Sequence, residues 1–357
     1  AHAPFTPAPQ YNDTDSGDES PRIPNWNVAP SPTKHLLMQQ TPAMNATVAQ
    51  QSDMSYDFRH GTLKSVDDLV AALYKQVEDM GLLNNTYFFY TSDHGFHSGQ
   101  FGMGYDKRQI YENDIRIPYY WKGPGIPQGA KTDIIALNID IAPTLVELTT
   151  GTVPQDFDGR SVVNYLFDTD YHYFDSHGRK ESAVSNLTQQ FLIEYYGEAW
   201  SGTADGLNCC GGWPGFYCQI CDSWNNTYSC VRQIDGANGQ VNGTQYCQFK
   251  CYKDGYLETP CMAGTPQGDG EYYNLETDYY ELDNAMGKLS PSDKNQYENM
   301  REKFLKCEGQ TECNGLREGD IHMDEDFEYA ANTIPYDEEL AEEMKNWKYT
   351  VVRSDNV

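Results

Sequence analysis

The chain has 357 residues, 39% of them hydrophobic, with 53 acidic against 25 basic side chains and a formal net charge of -28. That length accommodates two domains and a sizeable core. So acidic a balance argues against nucleic acid as a partner, because no basic face is left to neutralise phosphates, and no apolar run approaches the roughly 20 residues that span a bilayer.

Residues 1–59 are rich in Pro, Asn and Ser and carry little periodicity, so they read as a long surface excursion. Residues 65–80 read as a helix. Ser65 is the expected N-cap with Asp68 at N3, Val66, Leu69, Val70, Leu73 and Val77 form an apolar face, and Gly81 ends it. An aromatic run, residues 87–91, reads as a buried strand. Residues 115–121 read as a second strand, stopped by Gly123-Pro124-Gly125. A further element begins at 132–137, and 142–148 reads as a short helix with Pro143 at its start. This alternation argues for an α/β layered sheet. Residues 191–196 and 272–275 read as strands, 293–305 as a helix, and the acidic stretch 318–343 as a solvated segment. There are no internal repeats.

Ten cysteines begin only at position 209: Cys209, Cys210, Cys218, Cys221, Cys230, Cys247, Cys251 and Cys261 cluster, and Cys307 and Cys313 follow. Cys218 and Cys221 have zinc-ligand spacing. The even count and the Gly-, Asn- and aromatic-rich surroundings favour disulfides, in a segment with little aliphatic content for its own core. Six N-x-S/T sequons, at Asn12, Asn45, Asn84, Asn186, Asn225 and Asn242, point with the cysteines to N-glycosylation and the secretory route.

The chemistry concentrates in residues 87–118, YFFYTSDHGFHSGQFGMGYDKRQIYENDIRIP. Asp93 and His94 arrive just past the C-terminal end of a buried strand, where open α/β sheets place their active groups. Gly95 turns the backbone, His97 follows, and the segment reaches Asp106-Lys107-Arg108. A carboxylate at such a rigid position is a natural ligand for a hard cation. On residue chemistry alone, Arg108 is expected in a salt bridge with Glu112 or Asp114, and His97 either contacts substrate or braces the loop.

This stretch resembles the sulfatase family. So do the HAPF at residues 2–5, SVDDLV at 65–70, GPGI at 123–126, NIDIAPTL at 138–145, Asp158-Gly159 and EYYNLETDYYELDN at 271–284, in family order. NNTY at 84–87, DKRQ at 106–109 and NNTYSCVR at 225–232 make it most like the N-acetylglucosamine-6-sulfatase group, with similarity to extracellular endosulfatases and algal arylsulfatases. The resemblance implies an alkaline-phosphatase-like α/β sulfatase fold, here a partial core sheet with helices, plus a smaller C-terminal α+β subdomain. It assigns residues 1–195 to the catalytic domain, 196–268 to a Cys-rich insert, and 269–357 to the subdomain and tail. It implies Asp93 and His94 as ligands of Ca²⁺, with Mg²⁺ as the alternative, and Lys107 and His2 as catalytic groups on the sulfate and leaving oxygen. His97, Lys107 and His2 would bind substrate.

One departure matters. Family members use a cysteine oxidised to formylglycine within a C-x-P-S-R-like motif, and no cysteine here occupies one. The family's upstream aspartate pair is also absent, and the chain starts one residue before the HAPF histidine. The expectation is therefore the C-terminal part of a secreted or lysosomal sulfatase. It would act on a sulfated glycan with an N-terminal chain that carries the formylglycine. The alternatives are an inactive, glycan-binding or structural glycoprotein, or a phosphodiesterase of the same superfamily.

Overall fold

A computed structural model describes residues 5–12, 17–39, 41–132, 134–167, 189–197, 226–235, 242–253, 256–258 and 270–317, all within one unit, Ala1–Met323. Helix is found inside the region expected to be excursion: a short α1, Leu36–Gln39, and then α2, Ala46–Asp79. Asn45, not Ser65, is the N-cap, accepting the Val48 amide at 3.0 Å. No proline interrupts residues 46–79, so Ser65 lies mid-helix. The early turns escaped notice because their buried face is Val48, Ser52, Ser55 and Tyr56, helical in spacing but half hydroxyl in chemistry. Ser52 donates to the Gly104 carbonyl at 2.7 Å, which satisfies it inside.

Strand β1, Phe88–Thr91, pairs antiparallel with β2, Tyr119–Lys122, from Phe88 opposite Lys122 to Thr91 opposite Tyr119. Phe89 stacks on Trp121 across the pair, 4.3 Å between centroids. The second strand starts later than expected because Glu112–Ile115 coils into the short helix α3, and Pro118 offers no amide to the ladder. Residues 134–137 form no strand; they lead through a single 3-10 turn at Asn138–Asp140 into α4, Ile141–Thr150. Gly151, at φ 78°, ends α4, and α5, Val163–Phe167, follows.

The second sheet is antiparallel throughout. It orders β3 (Gln189–Tyr195), β4 (Thr227–Asp235) and β5 (Asn242–Lys253) side by side, and both β6 (Tyr256–Glu258) and β7 (Gly270–Asn274) pair with β5. Helix α6, Pro291–Phe304, is capped by Ser290 and packs Tyr297 face to face on Tyr246 at 5.1 Å. Helix α7, Gly309–Arg317, lies beside β3. The core joins this sheet to the segment after β1: Phe101, Met103, Ile110 and Tyr111 pack with Met38, Tyr228, Phe249, Tyr273 and Leu275. Among the described residues no helix is long and apolar enough to cross a membrane.

Cys230 and Cys247 face each other in the β4–β5 register and are disulfide-bonded; Cys307–Cys313 joins the end of α6 to α7. These four cysteines therefore follow the disulfide expectation. Side chains of Cys209, Cys210, Cys218, Cys221, Cys251 and Cys261 lie outside those described, as does the acidic stretch 318–343. Replacing Cys230 and Cys247 together by Ser should cost about 2–5 kcal/mol of stability. Denaturant unfolding measures it, and an unchanged midpoint would show that the bond adds nothing.

A charged cluster lies buried where the N-terminal segment meets β7. Lys34, fully buried, donates to the Tyr273 hydroxyl at 2.7 Å and the Glu281 carbonyl at 2.6 Å, and its ammonium sits over the rings of Phe101, Tyr111 and Tyr273. Glu271, also fully buried, accepts from the His35 amide at 2.6 Å, the His35 ring at 2.7 Å and the hydroxyls of Tyr111 and Tyr273. Burial pushes the Lys34 ammonium down. For Glu271 burial pushes upward, but the Lys34 and His35 charges and the hydrogen bonds win and hold the carboxyl at about 2.

Candidate active site

The backbone of the Asp93–Gly95 turn is gripped by two other segments. The amides of Gly95 and Phe96 donate to the carbonyls of Asp114 and Asn113, both at 2.7 Å, and the Asn138 side chain donates to the Asp93 carbonyl at 2.8 Å. Gly95 is required here by close approach: a Cβ would lie 2.1 Å from the Asn113 oxygen. Its φ is not positive, so crowding and not a left-handed turn explains the glycine.

The side chains behave differently from the backbone. Asp93 is 82% exposed and His94 38%. The Asp93 carboxylate accepts from the His94 amide at 3.1 Å and the Ser92 hydroxyl at 3.3 Å. Partial desolvation acts to raise its pKa, but the His94 charge and these hydrogen bonds outweigh it and hold the group below its ordinary value. His94 Nδ1 donates to the Gly95 carbonyl at 2.7 Å, which turns Nε2 toward Asp93 Oδ2, 3.3 Å away. Two lone-pair-bearing atoms so close together share either a proton or a cation.

Calcium takes six to eight oxygen ligands. Asp93 and His94 supply one carboxylate and one nitrogen, and among the described residues no group of three or more His, Cys, Asp or Glu is placed to hold a metal. These residues therefore do not form a calcium site by themselves.

His97 is completely buried. Its Nδ1 lies 3.0 Å from both Asp114 oxygens, and Asp114 also accepts the Gln109 amide at 2.8 Å. Its ring thus braces the loop and does not face solvent. A backbone bridge closes that loop: the His97 amide donates to the Asp106 carbonyl at 2.9 Å and the Asp106 amide returns to His97 at 3.3 Å. Lys107 follows immediately, 20% exposed, its ammonium 3.4 Å from Asp106. Arg108 pairs with the same carboxylate at 2.5 Å, and not with Glu112 or Asp114. Glu112 is taken by Arg232 at 3.1 Å and Asp114 by His97.

Asp93 with His94, and His97 with Lys107, thus form two adjoining groups on one chain segment, and no hydrogen bond or ion pair among the described residues links the groups directly. His2 lies outside the described residues, although Phe5 packs edge-on against Phe96 and Tyr105 of the loop, at 6.0 and 5.9 Å. Sequence reasoning missed Asn138 and Asp114. Both sat within stretches already noted, but holding a backbone carbonyl or a buried ring leaves no signature in spacing.

A family model described as Sulfatase matches residues 1–152. N-acetylglucosamine-6-sulfatase of Capra hircus is 35% identical over 302 residues, 81% of this chain and 47% of that protein. The chain thus spans about half the length of the curated relatives it matches. Among solved structures, one captured in complex with its substrate D-glucosamine-2-N,6-O-disulfate superposes with a TM-score of 0.51 at 21% identity, covering 76% of this chain and 43% of the other. A phosphonate monoester hydrolase from Silicibacter pomeroyi gives 0.53 at 15% identity, covering 85% and 53%. The fold is the alkaline-phosphatase-like α/β sulfatase fold. Residues 1–152 therefore carry a sulfatase-family domain, and the goat relative, 35% identical over 302 residues, points to the same family.

Proposed function

We propose that this chain forms part of the active site of a sulfate-ester hydrolase acting on a sulfated sugar of the glucosamine-6-sulfate type. The observation that carries the proposal is the fixed backbone at the end of β1, which presents Asp93 and His94 to solvent with Lys107 on the same clamped segment. The goat N-acetylglucosamine-6-sulfatase supports the sugar class. A formylglycine hydrate from outside these residues would supply the nucleophile toward sulfur, since no cysteine here lies in a C-x-P-S-R-like motif. The Lys107 ammonium neutralises charge on the sulfate oxygens as a point charge. His2 donates a proton to the departing sugar oxygen. Asp93, with His94 beside it, contributes to a Ca²⁺ or Mg²⁺ site whose other ligands come from outside the described residues.

The test is an assay of the complete enzyme on N-acetylglucosamine-6-sulfate and on an aryl sulfate. Hydrolysis of the sugar ester, abolished by Asp93→Ala, is the expected result. Turnover of the aryl sulfate alone would overturn the sugar class. Turnover of neither would favour a glycan-binding or structural role.

The two disulfides among the described residues and the sequons support passage through the secretory pathway, to the lysosome or outside the cell. Asn12, Asn45 and Asn84 are exposed, and Asn45 caps α2 through its oxygen, leaving the amide nitrogen for a glycan. Asn242 opens β5; Asn186 and Asn225 lie outside the described residues. Enzymatic removal of N-glycans from protein made in a secretory host should lower its apparent mass. An unchanged mass would reject the glycoprotein reading.

A further inference from the structure

One buried carboxylate ties residues 135–140 into a turn. Asp140 Oδ1 accepts the Arg160 amide at 2.9 Å, and its Oδ2 accepts the Leu137 amide at 2.9 Å. The buried Arg317 guanidinium closes on the same two oxygens at 2.7 and 3.0 Å and adds a bond to the Ile135 carbonyl at 3.2 Å. A two-pronged pair of this kind fixes a carboxylate in orientation as well as in place. Gly159 lies directly against the turn, where a Cβ would come within 1.9 Å of the Ile139 oxygen.

Arg317 ends α7, and the start of that helix is moored to the same neighbourhood. The Gly309 amide donates to the Asp158 carboxylate at 2.8 Å, and the Gln310 amide donates to the Gln155 carbonyl at 2.9 Å. The Gln310 side chain reaches the carbonyls of Phe157, at 2.9 Å, and Gly159. The Cys307–Cys313 disulfide ties the helix to the chain before it. A guanidinium 177 residues from Asp140 in sequence is thereby delivered to one spot. The turn it secures carries Asn138. That residue is exposed, and among the described residues its side chain hydrogen-bonds to the Asp93 carbonyl, at 2.8 Å. An exposed amide gains no fixed position from packing, so the turn beneath Asn138 sets where it stands.

We infer that Arg317 is a positioning residue for the Asp93–His94 turn, acting through Asp140 and Asn138. Its effect on turnover rests on the proposed function; its effect on the turn rests on geometry alone. The short helix α3 holds the amides of Gly95 and Phe96, beyond the two exposed side chains, whereas Asn138 reaches the main chain of Asp93 itself. Removing Arg317 takes from the buried Asp140 carboxylate the guanidinium that neutralises it, and the carboxylate must then shift or admit water. Either response moves the Leu137 amide, the turn and Asn138, and the Asp93 carbonyl loses its donor. Asp93 and His94 keep their chemistry but lose a fixed bearing. A displacement of about 1 Å at reacting groups can cost on the order of 10²-fold in rate.

The test uses the complete enzyme as wild type, Arg317→Gln, Arg317→Lys, Asn138→Ala, and each Arg317 variant combined with Asn138→Ala. Deuterium uptake at the Gly95 and Phe96 amides is read by mass spectrometry beside turnover of N-acetylglucosamine-6-sulfate. Asn138→Ala should speed exchange at these amides by about tenfold, the worth of one hydrogen bond. Arg317→Gln should match it and lower turnover by about ten- to hundredfold. Arg317→Lys keeps the charge but not the fork, so it should show about a third of the exchange effect, and it carries the test if Arg317→Gln does not fold. A purely structural role would add its effect to that of Asn138→Ala. Positioning through Asn138 predicts that each double variant exchanges no faster than Asn138→Ala alone. Unchanged exchange in a folded Arg317 variant, or full additivity with Asn138→Ala, would overturn the inference. Exchange that follows the expected pattern in an enzyme hydrolysing no sulfate ester would reject the proposed function and leave the positioning role standing.

Discussion

Lys107→Ala is expected to lower turnover of a sulfate ester by about 10²–10³-fold in the complete enzyme, the usual cost of deleting one preorganised charge-stabilising group. The fold should survive. Among the described residues Lys107 makes one ion pair, to Asp106 at 3.4 Å, and Arg108 holds the same carboxylate more closely. Such a partly exposed pair contributes about 0–1 kcal/mol. Lys107→Arg keeps the charge but changes its shape, and should recover part of the loss. Steady-state kinetics beside a thermal melt separate the two effects. Near wild-type turnover in Lys107→Ala would remove Lys107 from the sulfate site.

Glu271→Gln should destabilise the protein by about 3–5 kcal/mol, because it leaves the buried Lys34 ammonium and His35 without their countercharge. The effect should depend on pH. The folded carboxyl sits at about 2, below its ordinary 4.5. Its stabilising contribution is therefore complete above 4.5 and lost as pH falls through 2. The stability gap between wild type and Glu271→Gln should narrow across that window. Glu281 has the opposite sign: burial, then the Glu112 charge, raises its pKa, so its contribution is lost as pH rises through the raised value. Comparing wild type with the single variant cancels this background. A gap constant from neutral pH to pH 3 would show that folding does not lower the pKa of the Glu271 carboxyl.

Legibility in the sequence followed the kind of interaction involved. Strands β3 and β7 and helix α6 were readable, since each carries apolar or capping residues at the period its backbone demands. The first turns of α2 were not, because Ser52, satisfied by the distant Gly104 carbonyl, and Ser55 occupy their buried face. Asp93 and His94 stood out through residue type and position after a strand. The pairing of His97 with Asp114 crosses seventeen residues and depends on α3 folding back beneath the turn. The same fold-back reassigned Arg108 to Asp106, a contact that local charge patterning could not rank above Glu112.

The grip on the Asp93–Gly95 backbone has a consequence for how such a site can diverge. Three hydrogen bonds hold main-chain atoms, two from the Gly95 and Phe96 amides and one from Asn138, while the side chains of Asp93 and His94 project outward. Shape and chemistry are thereby inherited separately. A change at position 93 or 94 alters which ions or reacting groups the turn can serve without asking the loop to refold. Changes at Asn138 or Gly95 disturb the mounting and leave the ligands chemically intact. Substitutions at the two exposed tips should accordingly change the chemistry and spare the fold, whereas substitutions at the mounting residues should reach the chemistry only through the fold.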